Sequence, residues 1–249
     1  MGETPAFELF DVEITAITDK TAAELIVGGE LTGCVHFVNA FSMTESTRSP
    51  AFKATLQAGT ALPDGMPLVW IGRRLGIHSL TQRAYGPDVM RRCLDLGRGA
   101  SVSHFLFGTD DATLQRLRQA IESSWPSARV VGSLAPSFGE FSDADVATYA
   151  STIKGSGADL VWVGLSSPRQ DLLASRLAEH TDQTLLCVGA AFDFIAGTKN
   201  TSPAWMRRVG LEWLFRLVSE PRRLWRRYIL GNPQFVFLAL RQRPRLLRV

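Results

Sequence analysis

Cysteine is scarce in this chain, with three in 249 residues, Cys34, Cys93 and Cys187. The odd number and wide spacing exclude a disulfide framework and a zinc ribbon. Cys34 and Cys187 lie in apolar, strand-like runs and read as small core residues of a reducing compartment. The four histidines, His36, His78, His104 and His180, show no metal-ligand spacing, which argues against zinc catalysis. Neither a Gly-x-Ser-x-Gly elbow nor a Walker loop occurs, so serine-hydrolase and P-loop chemistry are set aside. No Asp-x-Asp stands beside a strand end; "DADV" (143–146) starts a helix, where capping explains it. No apolar run approaches the roughly 18 to 20 residues that span a bilayer. The N-terminal "MGETPAFELFDVEIT" has neither a basic flank nor a long apolar stretch and does not read as a signal peptide.

What the chain does have is an uneven charge. The formal net charge is only +3, yet from Arg207 onward eleven arginines face two glutamates, Glu212 and Glu220, a local net of +9. Residues 1–206 therefore carry −6. A mildly acidic body with a basic tail points to an anionic partner: nucleic acid, an anionic membrane surface or a phosphorylated substrate. With 45% hydrophobic residues the chain can bury a large core.

Short apolar runs alternate with amphipathic ones. "CVHFVNA", "TALPDG", "SVSHFLFGT", "ARVVGSLAP", "ADLVWVGL" and "TLLCVGAAFDFIAG" read as strands or strands entering loops. "MPLVWIGRRLG", "DDATLQRLRQAIESSWP", "SDADVATYASTIKGSG" and "SSPRQDLLASRLAEH" read as helices between them. Continuous apolar strands alternating with helices predict an α/β fold, a parallel sheet covered by helices on both faces. The alternation stops after Gly197, which predicts a core over 1–197, of one lobe or two, and a basic, amphipathic helical appendage over 198–249. Ligands of such sheets bind beyond the carboxyl ends of the strands.

Two strand ends carry suggestive residues. In "LPDGMP", Asp64 is either a turn or capping aspartate or a carboxylate acting on a ligand, kept ionised by the helix that follows. In "GLSSPRQD", Ser166, Ser167, Arg169 and Gln170 open a helix, either as a polar cap or as a cradle for a phosphate or sugar hydroxyl. "FGTDD" is a weaker phosphate cup without a glycine fingerprint. Arg83 stands in an aperiodic loop, and Asp193 is a charge inside an apolar run, costly unless paired.

In "EPRRLWRRYIL", Arg222, Arg223, Arg226 and Arg227 span about 140° of a helix. The pattern places Leu224, Trp225, Tyr228 and Ile229 on the opposite face. Such a helix packs on its own domain, lies at an anionic membrane, or clamps a diphosphate. No nucleic-acid-binding motif supports that partner.

The block "GAAFDFIAGTKNTSPAWMRRVGLEWLFRLVSEPRRLWRRYILGNP" resembles the bacterial glycosyltransferases grouped as WecG/TagA/CpsF, with "LPDGMPLVW", "GPDVM" and "VGLSSPRQD" in order before it. The resemblance runs from about Val35 to Pro233 and implies a Rossmann-like core. It implies transfer of a sugar from a UDP-sugar to a polyprenyl-diphosphate-linked saccharide at the cytoplasmic membrane face. The reaction it implies is inverting, metal-independent and without a cofactor. The implied general base is Asp64, with Asn39, Arg83 and Gln170 in the pocket. Arg216, Arg223 and Arg226 would close over the diphosphates, leaving Arg222, Trp225 and Arg227 for the membrane. Oligomeric state stays open, a homo-oligomer included. Asp171 stands where glutamate is usual, and Asn200-Thr201-Ser202 replaces a basic pair. "GSLAPSFGEF" is nearer the capsule and exopolysaccharide branch than the teichoic one. The competing reading is a non-enzymatic module that binds a membrane surface or polyanion through its tail.

Overall fold

The computed structural model describes residues 4–137 and 139–249; Phe138, inside "GSLAPSFGEF", lies outside them. The chain opens with β1 (Ala6–Leu9), β2 (Val12–Thr15), α1 (Asp19–Val27), β3 (Cys34–Val38) and α2 (Ala40–Ser46). α3 (Pro50–Ala58), β4 (Thr60–Pro63), α4 (Met66–Arg74), α5 (Gly86–Ala100), β5 (Ser103–Phe107) and α6 (Asp111–Ser124) follow. Next come β6 (Arg129–Leu134), α7 (Asp143–Ser156), β7 (Leu160–Val163), α8 (Arg169–Ala178) and β8 (Thr184–Cys187). The remainder is α9 (Ala191–Ile195), α10 (Ala204–Arg208), α11 (Glu212–Ser219), α12 (Pro221–Trp225), a π-helical turn (Arg226–Leu230), α13 (Gly231–Gln242) and β9 (Arg245–Arg248).

The nine strands among the described residues form one sheet in the order β6-β5-β7-β8-β3-β4-β2-β1-β9. The pairings from β6 to β2 are parallel, and those of β1 with β2 and β9 are antiparallel. The α/β expectation therefore holds, and the strand alternation shows why. Along β7, Leu160 and Trp162 pack with α1, α5 and α6, while Val161 and Val163 pack with α7 and α8. A strand buried on both faces has no polar side, hence the unbroken apolar run.

Three elements differ from the sequence expectation. The segment after "TLLCVGA" is not a loop but starts α9. The segment after Gly197 is helical only as far as Gln242; it then returns to the sheet edge as β9, where Arg245 bonds Glu8 at 2.8 Å. The N-terminal hairpin is new. Its turn, Phe10 and Asp11, has φ of 57° and 63° without a glycine. The Phe10 ring meets Phe235 of α13 edge-on at 5.9 Å, so burial against the C-terminal helix offsets an unfavourable backbone.

One buried polar contact fixes α8. His36 on β3 and Asp171 in the first turn of α8 are hydrogen-bonded at 2.8 Å, Nδ1 to Oδ1, beneath the sheet surface. This pairing aims the preceding residue, Gln170, at the strand ends. Replacing Asp171 by alanine leaves the His36 Nδ1 without its partner, which costs about 1–3 kcal/mol. Thermal unfolding of Asp171→Ala is expected to show a Tm lower by several degrees, and an unchanged Tm would show the pair to be dispensable.

Candidate active site

The carboxyl ends of β3, β4, β5, β7 and β8 open into one cleft of about 460 Å³. Asn39, Asp64, Thr109, Ser166, Ser167 and Val188 reach it from those five ends. The close approach of the ends of β5 and β7 depends on glycine: a Cβ on Gly108 would lie 2.8 Å from the Gly164 backbone. The far wall is built by the C-terminal segment, through Arg216, Arg223 and Arg227.

Asp64 follows β4, but it does not cap α4, whose N-cap is Gly65. Its Oδ1 instead accepts the N–H of Gly86, at the start of α5, at 3.3 Å. The expectation that a helix terminus keeps it ionised is reversed. Burial pushes its pKa up to about 7; Arg83 draws it down and Glu212 pushes it up again. A carboxyl in that range accepts protons at neutral pH better than an ordinary aspartate.

Arg83 does not line the cleft; it stands behind Asp64. Its guanidinium donates to the Asp64 carbonyl at 3.2 Å, pairs with Glu212 of α11 and stacks on the Tyr85 ring at 3.9 Å. Tyr85 Oη donates to the other Glu212 oxygen at 3.1 Å. Burial works against the Arg83 charge, and Glu212 and Asp64 hold it protonated all the same. Neither Glu212 nor Tyr85 is singled out in the sequence. The sequence does carry a signal for Glu212, an acid among Leu211, Trp213 and Leu214, as Asp193 is a charge inside an apolar run.

Asn39 and Gln170 both reach the cleft, each with half its amide committed. Asn39 Oδ1 caps α2 by accepting from Phe41 N at 3.0 Å and Ser42 N at 3.3 Å, which leaves its NH₂ for a ligand. Gln170 is the reverse. Its Nε2 donates to the Cys187 carbonyl at 2.8 Å, while the buried Oε1 has no partner among the described residues. The free Oε1 can therefore accept from a hydroxyl or N–H. Asp193 rims the cleft, paired with Lys199 at 2.9 Å and Thr198 at 3.0 Å.

The arginines sort differently from expectation. Arg216 and Arg223 line the cleft, but Arg226 is exposed and lies by the Trp225 ring. Arg227, expected at the membrane, turns into the cleft over the Phe41 ring at 4.0 Å. The reason is helical geometry. Leu224 and Tyr228 are the buried pair, so Arg223 and Arg227, each one residue earlier, flank the inner face. Arg222 and Arg226, two residues earlier, point away, and Trp225 and Ile229 are exposed rather than sharing the buried face. Burial lowers the pKa of Arg227, and its Nε has no partner among the described residues. A half-buried guanidinium whose covered Nε lacks a partner suits an anion.

Among the described residues, the one cluster with metal-ligand chemistry is His36, Asp171 and Cys187, buried beneath α8.

A mostly parallel sheet with an arginine-walled cleft at its carboxyl edge defines an α/β protein whose cleft suits an anionic ligand. The chain belongs to the Glycosyl transferase WecG/TagA/CpsF family, whose model matches residues 7–248. Its activity class is thus glycosyl transfer, and the reading as a non-enzymatic module falls away. It is 28% identical over 185 residues to an N-acetylglucosaminyldiphosphoundecaprenol N-acetyl-beta-D-mannosaminyltransferase of Bacillus subtilis, covering 73% of this chain and 68% of that one. It is 27% identical over 202 residues to the protein of the same name from Bacillus spizizenii, covering 79% and 74%.

The raised pKa of Asp64 has a thermodynamic consequence. Between the unfolded aspartate value and about 7, the folded protein holds a proton that the unfolded chain has released, so this group's contribution to stability falls as pH rises through that window. Asp64→Asn retains the Gly86 contact and removes the penalty. It is expected to unfold at a higher temperature than wild type at pH 8, with the advantage fading toward pH 4. A variant no more stable at pH 8 would show that burial does not raise this carboxyl.

Proposed function

We propose that this protein transfers a sugar from a UDP-sugar to a saccharide carried on a polyprenyl diphosphate, with inversion and without a metal or cofactor. The observation that carries the reading is the pairing in one cleft of Asp64, with its pKa near 7, and the incompletely bonded Arg227 beside Arg216 and Arg223. Asp64 takes the proton of the acceptor hydroxyl. The hydroxyl oxygen bonds the anomeric carbon from the face opposite the leaving group, and the bond from that carbon to the phosphate oxygen breaks. UDP leaves with the electron pair, its growing charge met by the arginines. Those cations supply the positive charge that a metal supplies in other transferases. Asn39 and Gln170 contact the donor, the former as hydrogen-bond donor and the latter as acceptor. Arg83 acts from behind Asp64.

The names of the relatives indicate the acceptor to try first, N-acetylglucosaminyl diphosphoundecaprenol, and an N-acetylmannosaminyl group to transfer; with the UDP-sugar reading, the donor to try is UDP-N-acetylmannosamine. The assignment to capsule or exopolysaccharide synthesis rests on "GSLAPSFGEF" alone. No helix among the described residues is long and apolar enough to cross a membrane. The proposed location is peripheral, on the cytoplasmic face. Arg222, Trp225 and Arg226 are exposed on one flank of the tail, beside Ile229, Leu230, Phe237 and Leu240. Apolar groups interleaved with arginines suit an anionic lipid surface. Nucleic acid has no support as a partner.

With these substrates, lipid-dependent UDP release is expected to persist in EDTA. Release abolished by the chelator would refute the arginine-for-metal assignment. Asp64→Asn is expected to lose about 10²–10⁴-fold in kcat while still binding UDP. Wild-type kcat/KM is expected to rise with pH through about 7, where the Asp64 carboxyl deprotonates, and the variant's residual rate should lack that limb. Near-normal turnover by Asp64→Asn would refute its role as base.

A further inference from the structure

Beneath α8 lies a cluster of donor atoms that the proposed transfer does not use. His36 on β3, Asp171 on α8 and Cys187 on β8 each offer one, and the three atoms lie within 4.8 Å of one another. Strand register brings two of them together. His36 and Cys187 are paired residues of neighbouring parallel strands, so their side chains leave the sheet on the same face. α8 covers that face and presents Asp171 from its first turn.

The three make an expensive set for an apolar core. Exposure is 0% for His36, 3% for Asp171 and 1% for Cys187. The hydrogen bond from Nδ1 to Oδ1 satisfies one atom of the imidazole and one of the carboxylate. Asp171 Oδ2 and His36 Nε2 have no partner among the described residues. The Cys187 thiol makes a long contact with the Gln170 carbonyl, at 3.9 Å. A buried carboxylate with a bare oxygen is costly unless a cation balances it, and among the described residues Asp171 has His36 alone for that.

The donor set selects the ion. Nitrogen, oxygen and sulfur together suit zinc, whereas magnesium and calcium take oxygen. Zn²⁺ balanced by one carboxylate and one thiolate is neutral as a group, which a low-dielectric interior favours. The imidazole is also held in place: it packs on the bare backbone of Gly59, where a Cβ would lie 2.6 Å from Nε2.

We infer that His36, Asp171 and Cys187 are the protein ligands of a zinc ion that ties α8 to β3 and β8. Nδ1 binds through its lone pair, the ring proton moving from Nδ1 to Nε2. Asp171 binds through a carboxylate oxygen, and the Cys187 thiol releases its proton to solvent. Water takes the fourth position of the tetrahedron. Cys187 is among the residues lining the main cleft, which gives the ion and its water a way in. The ion replaces the hydrogen bond between His36 and Asp171, and that bond re-forms when the ion is withdrawn. The site takes no part in the chemistry at Asp64, so the inference stands apart from the transferase reading.

The test is metal uptake by the full chain, first stripped by a chelator under reducing conditions, with Co²⁺ and Zn²⁺ as probes. One Co²⁺ per chain is expected to bind and to develop the intense near-ultraviolet absorption of a thiolate–cobalt bond, which Zn²⁺ then abolishes by displacement. Zn²⁺ is also expected to raise the Tm. Cys187→Ser is expected to lose the cobalt absorption and to weaken Zn²⁺ at least about tenfold. Cys93→Ser, a buried cysteine elsewhere in the core, is expected to keep both. Asp171→Asn, which retains an acceptor for the imidazole, is expected to weaken Zn²⁺ by a similar factor. Wild type that takes up neither ion would overturn the site. So would wild-type affinity in Cys187→Ser or Asp171→Asn, or loss of the absorption in Cys93→Ser.

Discussion

The contact on which the site depends is the one Glu212 makes with Arg83 and Tyr85. Glu212 belongs to the C-terminal segment, Arg83 to the loop before α5, and Asp64 to the end of β4; a single buried ionic cluster holds all three. A carboxylate only 8% exposed is tolerable because a guanidinium and a phenol share its charge. Remove it and Arg83 is left buried beside Asp64 with less to balance it. The C-terminal segment therefore does more than roof the cleft. It sets the electrostatic environment of the carboxyl at its centre.

The basic tail looks different in this light. Its arginines do not form one solvated stripe. Helical geometry divides them between a wet flank and the cleft, and the dividing line is drawn by two apolar residues, Leu224 and Tyr228. Phe235 then anchors α13 in the core formed with β1 and β2, and β9 pairs with β1 at the sheet edge. The two ends of the described chain are thus joined through the hairpin, so the tail's position over the cleft is fixed from both sides.

How much of this was legible follows from how local each signal is. The parallel sheet was readable because every central strand is apolar on both faces, a property of four to six consecutive residues. Asp64, Asn39 and Gln170 were placed by position at strand ends and by the family pattern. The hairpin was not readable: Phe10-Asp11 is no turn dipeptide, and what permits it is a ring more than two hundred residues away. Glu212 carried a local signal, an acid amid apolar residues, but its partner Arg83 sits in a loop without periodicity, and only the fold joins them. Assigning Arg226 rather than Arg227 to the cleft was an error of phase. The residue pattern gives the angle between side chains, while burial of Leu224 and Tyr228 decides which angle faces inward.

The charges of the cleft also suggest an order of events for the proposed reaction. Arg223 is matched by Glu220 and Lys199 by Asp193, so Arg216 and Arg227 are the cations left to act on Asp64. In the unliganded protein Arg216 draws the Asp64 pKa down, against the larger upward push of burial. A bound diphosphate engages those same guanidinium groups. Their pull on Asp64 is then spent on the phosphates, and Arg83, the larger downward pull, is left to keep the carboxyl ionised for the acceptor's proton. When the phosphate bond breaks, the leaving group gathers further negative charge beside the same arginines, so they contribute more to the transition state than to the bound ground state. That difference is what accelerates a reaction.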